Sequence, residues 1–111
     1  MVASETAMAV RATLTFTVKE GAADAFEEAW RQIAARVKEH PDSLRQTLAR
    51  DPDDPRTFVM TTDWESRESF RVFETSTEQE ELTAPLRQLR ESSTMVVYDI
   101  IAHIEAGAPS N

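Results

Sequence analysis

The 111-residue chain has no cysteine, two glycines and a single asparagine, Asn111. Without cysteine there is no disulfide, thiolate zinc site, iron–sulfur ligand or cysteine nucleophile, a composition that fits a reducing compartment. Gly21 and Gly107 stand apart, so no glycine-rich loop can gather backbone N–H groups around a phosphate. None of the eight serines lies in a Gly-x-Ser-x-Gly elbow. Bases are also scarce: 12 against 20 acids leave a net charge of −8, the wrong sign for non-specific attraction to nucleic acid or anionic lipid. No apolar run approaches the roughly 20 residues that span a bilayer, and Glu5 stands where a secretory leader would be basic, so a cytoplasmic protein is expected. The two histidines, His40 and His103, form no His-x-x-x-His pair, and no metal site is expected.

What is present reads as one ordered domain, with 41% hydrophobic and 29% charged residues. From Ala9 to Val18, Val10, Ala12, Leu14, Phe16 and Val18 alternate with Arg11, Thr13, Thr15 and Thr17, the pattern of a half-buried strand. From Ala22 to His40, Phe26, Trp30, Ile33 and Val37 form the apolar stripe of a helix that Pro41 helps to stop. Strands are predicted at Ser43 to Arg50 and Arg56 to Trp64, joined by the turn Asp51-Pro52-Asp53-Asp54-Pro55. Ser66 can cap a helix carrying Phe70 and Phe73 inward. A second helical stretch, Thr77 to Arg90, is divided or kinked by Pro85. The acids from Glu74 to Glu81 read as a solvated helix face. A last strand, Thr94 to Ile104, is apolar on both parities and should be covered on both faces.

The order β-α-β-β-α-β predicts an α+β, ferredoxin-like antiparallel sheet with its helices on one face. The expected divisions are an N-terminal tail at 1–8, a single domain at 9–105 and a frayed C-terminal tail at 106–111. The bare sheet face, apolar in its last strand, predicts a homodimer.

With this order, the segment Phe58-Val-Met-Thr-Thr-Asp-Trp64-Glu65-Ser66-Arg-Glu-Ser-Phe70-Arg-Val-Phe73 resembles the antibiotic biosynthesis monooxygenase family, small dimeric α+β barrel proteins, over about Val10 to Ile104. The resemblance implies a cofactor-independent monooxygenase. It would oxidise an anthrone- or hydroquinone-like aromatic polyketide to a quinone with O2, alongside possible polyketide tailoring enzymes as partners. A polyketide cyclase, which needs a pocket and a proton carrier but no oxygen, is the alternative within enzymes. A non-catalytic polyketide-binding partner is the alternative outside them.

Candidate site residues follow from the resemblance. Trp64 matches a tryptophan that several members place in the pocket, where its N–H can donate to a substrate oxygen; core packing is the competing reading. Phe70 stands where some members have tyrosine and keeps the ring without the hydroxyl. Arg87 resembles an arginine on the last helix that some members direct at the substrate anion, against a solvated helix arginine. Phe16, Met60, Phe70 and Phe73 are the candidate walls of the pocket. Members often carry an asparagine four residues before the tryptophan, but Met60 occupies that position here, which disfavours the haem-degrading branch.

From the residues themselves, His103 is the leading candidate for a general base or oxygen-positioning donor, on the parity of Met95, Val97 and Asp99, with a rim or dimer-contact histidine as the alternative. His40, at a helix C-terminus, reads as a surface cap.

Overall fold

A computed structural model describes residues 8–107. The N-terminal tail expected at 1–8 and the end of the tail expected at 106–111 therefore lie largely outside the described residues. Four strands, β1 (Val10–Val18), β2 (Ser43–Arg50), β3 (Thr57–Trp64) and β4 (Arg90–Asp99), form one antiparallel sheet in the order β2-β3-β1-β4. The helices are α1 (Ala23–Val37), α2 (Arg67–Glu74), α3 (Thr77–Leu82) and α4 (Ala84–Leu89). This is the ferredoxin-like α+β arrangement expected from the element order.

Each element follows from local chemistry. In β1 and β3, Val10, Ala12, Phe16, Val18, Phe58, Thr62 and Trp64 are buried on one parity, where they meet Phe26, Ile33 and Val37 of α1, Phe70 of α2 and Leu86 of α4. Between β2 and β3 the aspartates hold the turn: Asp51 Oδ1 accepts from the Asp53 N–H at 2.8 Å, and Asp54 accepts from the Arg56 N–H and the Thr57 hydroxyl. Helix α2 starts in a reciprocal capping box, where the Ser69 N–H donates to Ser66 Oγ at 3.0 Å and the Ser66 N–H donates to Ser69 Oγ at 3.1 Å. Pro85 stands in the first turn of α4, and the stretch from Thr77 divides at Thr83.

The last strand differs from expectation. It begins at Arg90 and ends at Asp99, because its pairing with β1 runs out: Asp99 faces Val10, and the N–H of Ile100 makes a final bond to the Ala9 carbonyl. Ile101 and Ile104, expected inside the strand, lie beyond it and are exposed.

The face of the sheet away from the helices carries a cluster of charge. Arg11, Asp63 and Arg45 stand directly opposite one another across β1, β3 and β2. Arg11 donates to both carboxylate oxygens of Asp63, at 2.8 and 2.9 Å, and Arg45 donates to Oδ2 at 2.7 Å. The Asp63 side chain is fully buried, whereas each arginine keeps 40% exposure. Burial alone would push this carboxyl up, but the two guanidinium hydrogen bonds outweigh it and hold the group below the usual carboxylate range.

Replacing Asp63 by alanine leaves two guanidinium groups unopposed. The expected loss in a urea titration is about 2 kcal/mol, less than the ~3–5 kcal/mol for a fully buried pair because both arginines reach water. Because the folded state lowers this pKa, the pair stabilises fully above about pH 4, the ordinary aspartate range, and its contribution fades as pH falls through the lower folded value. Thermal unfolding between pH 6 and pH 2.5 should show a shallower acid decline for Asp63→Asn than for the unsubstituted chain.

Candidate functional site

Between the inner face of the sheet and the helices lies a cavity of about 270 Å³. Its position follows from the strand register. Phe16 pairs with Phe58 in one row, Leu14 lies between Met60 and Met95 in the next, and Ala12 lies between Thr62 and Val97 in the one after. Phe26 of α1 fills the space over the first row, with ring centroids 5.1 Å from both Phe16 and Phe58. At the other end Phe73 stacks on Trp64 at 4.7 Å, with His40 edge-on to the indole at 5.0 Å. The middle rows are left open. Leu14, Met60 and Met95 form the floor of the cavity, and Ile33, Val37, Phe70, Phe73 and Leu86 contribute its apolar helical wall.

The polar lining comes from Gln46, Thr62, Glu74, Gln79, Thr83 and Ser93. Gln46 donates from Nε2 to the Ala34 carbonyl at 3.1 Å. Thr83 Oγ1 donates to the Gln79 carbonyl at 2.9 Å and accepts from Arg87. Glu74, the last residue of α2, makes no side-chain hydrogen bond or ion pair among the described residues.

The site residues expected from the sequence divide sharply. Met60, Phe70 and Phe73 line the cavity. Phe16 lies one row away, buried against Phe26, and belongs to the core. Trp64 is fully buried, and its indole N–H donates to Thr62 Oγ1 at 2.8 Å, so it is committed within the protein and does not present itself to a ligand. That bond occupies an acceptor lone pair of Thr62 and leaves the threonine proton without a partner among the described residues, in a hydroxyl that lines the cavity.

Arg87 is exposed and holds the Glu80 carbonyl at 2.7 Å and Thr83 Oγ1 at 2.9 Å, one side chain removed from the cavity. His103 lies past the end of β4, off the cavity, with Nε2 2.6 Å from Glu105 Oε2 and 3.5 Å from an Arg45 nitrogen. This contact lowers the Glu105 pKa. The strand ends at Asp99, so the parity that placed His103 with Met95 and Val97 does not extend to it. His40, read as a surface cap, is half-buried as part of the aromatic cluster behind Phe73.

Sequence reasoning missed Glu74, Gln46, Gln79, Thr62 and Thr83. For Glu74 a signal existed: Phe70, Phe73 and Glu74 stand at i, i+3 and i+4 on one helix, the spacing of a single face. Among the described residues no group of three histidine, aspartate or glutamate side chains is placed to hold a metal ion.

Known proteins share this architecture. A variant of SnoaB, a cofactor-independent oxygenase from Streptomyces nogalater, superposes with a TM-score of 0.79 at 26% identity, covering 88% of this chain and 98% of that one. The unsubstituted SnoaB structure gives 0.78 at the same identity and coverage. A putative antibiotic biosynthesis monooxygenase from Nitrosomonas europaea, at 19% identity and a TM-score of 0.77 over 86% of this chain and 92% of that one, shares the fold. In sequence, the "42.8 kDa protein in whiE locus" of Streptomyces coelicolor is 25% identical over 101 residues; the match takes in 91% of this chain, which spans about a quarter of that relative's length. The sequence profile of the antibiotic biosynthesis monooxygenase family matches residues 9–95, and the chain belongs to that family.

Proposed function

We propose that the chain is a cofactor-independent monooxygenase that oxidises an anthrone- or hydroquinone-like aromatic polyketide to a quinone. The observation that carries this reading is the cavity itself, a mainly apolar slot between the sheet and the helices of a fold shared with a cofactor-independent oxygenase. At about 270 Å³ it lies near the lower end of the ~300–1,000 Å³ typical of ligand sites, which suits a flat body of a few fused rings. Phe70 and Phe73 supply ring faces, and Met60 and Met95 supply polarisable contacts.

In the proposed reaction the substrate provides the electrons. Loss of a proton from the anthrone CH2 gives a carbanion conjugated with the ring oxygen. One-electron transfer to O2, radical recombination and collapse of the hydroperoxide then convert CH2 to C=O. One oxygen atom enters the quinone, and the other leaves as water with the two hydrogens. The protein's contribution is to exclude water and to donate to the developing ring oxyanion. Thr62 is the donor the geometry favours, since its lone pair already accepts from Trp64 and the accepted bond polarises the free O–H. Trp64 thus acts through Thr62 as a positioning residue.

The sheet face away from the helices fits a second copy of the chain. Its rows hold Thr13, Thr47, Thr61 and Val96, then Thr15, Ala49, Val59 and Thr94, all uncharged, with Tyr98 beside Arg11. Val96 and Tyr98 are about half exposed on it, at 48% and 55%.

Incubating metal- and flavin-free protein with anthrone under 18-O2 should place one labelled oxygen in the anthraquinone; no enzyme-dependent label would sink the activity for this substrate class. Thr62→Val should lower kcat about 100-fold, the scale of one oxyanion donor, with Trp64→Phe milder because Thr62 keeps its own proton. Light scattering should return about twice the chain mass of 12.5 kDa, and Val96→Asp should shift it towards the monomer.

A further inference from the structure

We propose that Glu74 is the base that removes the proton from the bound ring system. This inference rests on the proposed reaction, which begins with that removal, but it concerns a step that needs no oxygen. Among the described residues, fourteen side chains from every strand and every helix line the cavity, and Glu74 is the only one of them that carries an acidic or basic group. β1 contributes Leu14, β2 Gln46, β3 Met60 and Thr62, and β4 Ser93 and Met95; the remaining helical positions are apolar apart from Gln79 and Thr83. Neither His103 nor Arg87 reaches the cavity. A proton passed from ring to protein inside the slot therefore has one carboxylate to go to.

The fold also fixes where that carboxylate stands. The Ser66–Ser69 capping box sets the first turn of α2. Phe70 is buried one turn before Glu74, and Phe73 is stacked on Trp64, so the rotational phase of the helix is locked by two aromatic anchors. Glu74, four residues after Phe70, must share its face. Among the described residues the half-buried Glu74 carboxylate, set beside apolar walls, has no hydrogen-bond or cation partner, so its oxygens are not committed elsewhere in the protein. The step balances simply: the C–H bond of the anthrone breaks, its electron pair stays on the ring as the carbanion, and the proton forms an O–H bond on Glu74. Across the slot, the Thr62 hydroxyl donates to the oxygen on which the negative charge settles.

The test is exchange of the anthrone CH2 hydrogens with D2O under argon, followed by mass spectrometry, with anthrone affinity read from tryptophan fluorescence and folding from thermal unfolding. The unsubstituted protein should accelerate exchange over buffer. Glu74→Gln should fold, bind anthrone with similar affinity and lose exchange by about 100-fold or more, the scale of general-base catalysis. Glu74→Asp should recover part of the rate. Exchange that persists in Glu74→Gln, or that the unsubstituted protein fails to accelerate, overturns the assignment. Exchange that depends on Glu74 without any 18-O label in aerobic product sustains the base and removes the oxygenase reading; label with unchanged exchange in Glu74→Gln does the reverse.

Discussion

The register of β3 governs what the rest of the molecule can do, and the contact with Arg11 and Arg45 at Asp63 is what makes that register costly to change. Side chains of a strand alternate, so moving β3 by one residue would send Phe58, Met60, Thr62 and Trp64 outward and put Asp63 among the hydrophobic side chains under the helices. The carboxylate is fully buried and accepts three hydrogen bonds from two neighbouring strands. An uncompensated charge in that place is much more expensive than a lost apolar contact. One ionic cluster on the outer face thereby aims the floor of the cavity on the inner face.

Charge is consequently sorted between the two sides of the sheet. Outside, one acid is neutralised by two bases at fixed geometry and has no spare capacity to bind or release a proton near neutral pH. Inside, a single acid among the described residues, Glu74, stands amid rings, thioethers and neutral amides. The same residue type, a carboxylate, serves as mortar on one side and as a reactive group on the other, and the difference comes from the number of cations within hydrogen-bonding reach. His103, the candidate base expected from the sequence, is engaged with Glu105 and Arg45 away from the cavity.

Much of the fold was legible because its signals are local. Alternation in β1 and β3, the stripe through Phe26, Ile33 and Val37, the aspartate turn and the Ser66 cap each depend on residues a few positions apart. The end of β4 was not legible, since Val97 to Ile104 stays apolar at most positions while the strand stops where its partner stops, a property of β1 and not of the segment itself. The cavity was half legible. Inward parity identified Met60, and the helix stripe identified Phe70 and Phe73, but parity cannot say which inward row Phe26 will fill, and so Phe16 was assigned to a wall it does not reach. Trp64 was read as a donor to substrate because its acceptor, Thr62, is decided by rotamers. Glu74 was hidden by composition: in a run of acids it looked like solvated surface, although its spacing from Phe70 placed it on the inner stripe.

The two sides of the slot differ in stiffness. Over it, Phe73 is clasped by Trp64 and His40, and Phe70 is wedged into the core, so the ceiling has few alternative shapes. Under it, Met60 and Met95 flank Leu14, and a methionine side chain turns about three bonds with little preference. A rigid upper plate over a compliant bed would grip a flat guest by its faces while conforming to whatever substituents hang from its underside. Such a vice would discriminate by thickness first and by outline second, admitting a series of differently decorated planar molecules and refusing any that carries a tetrahedral branch near its middle.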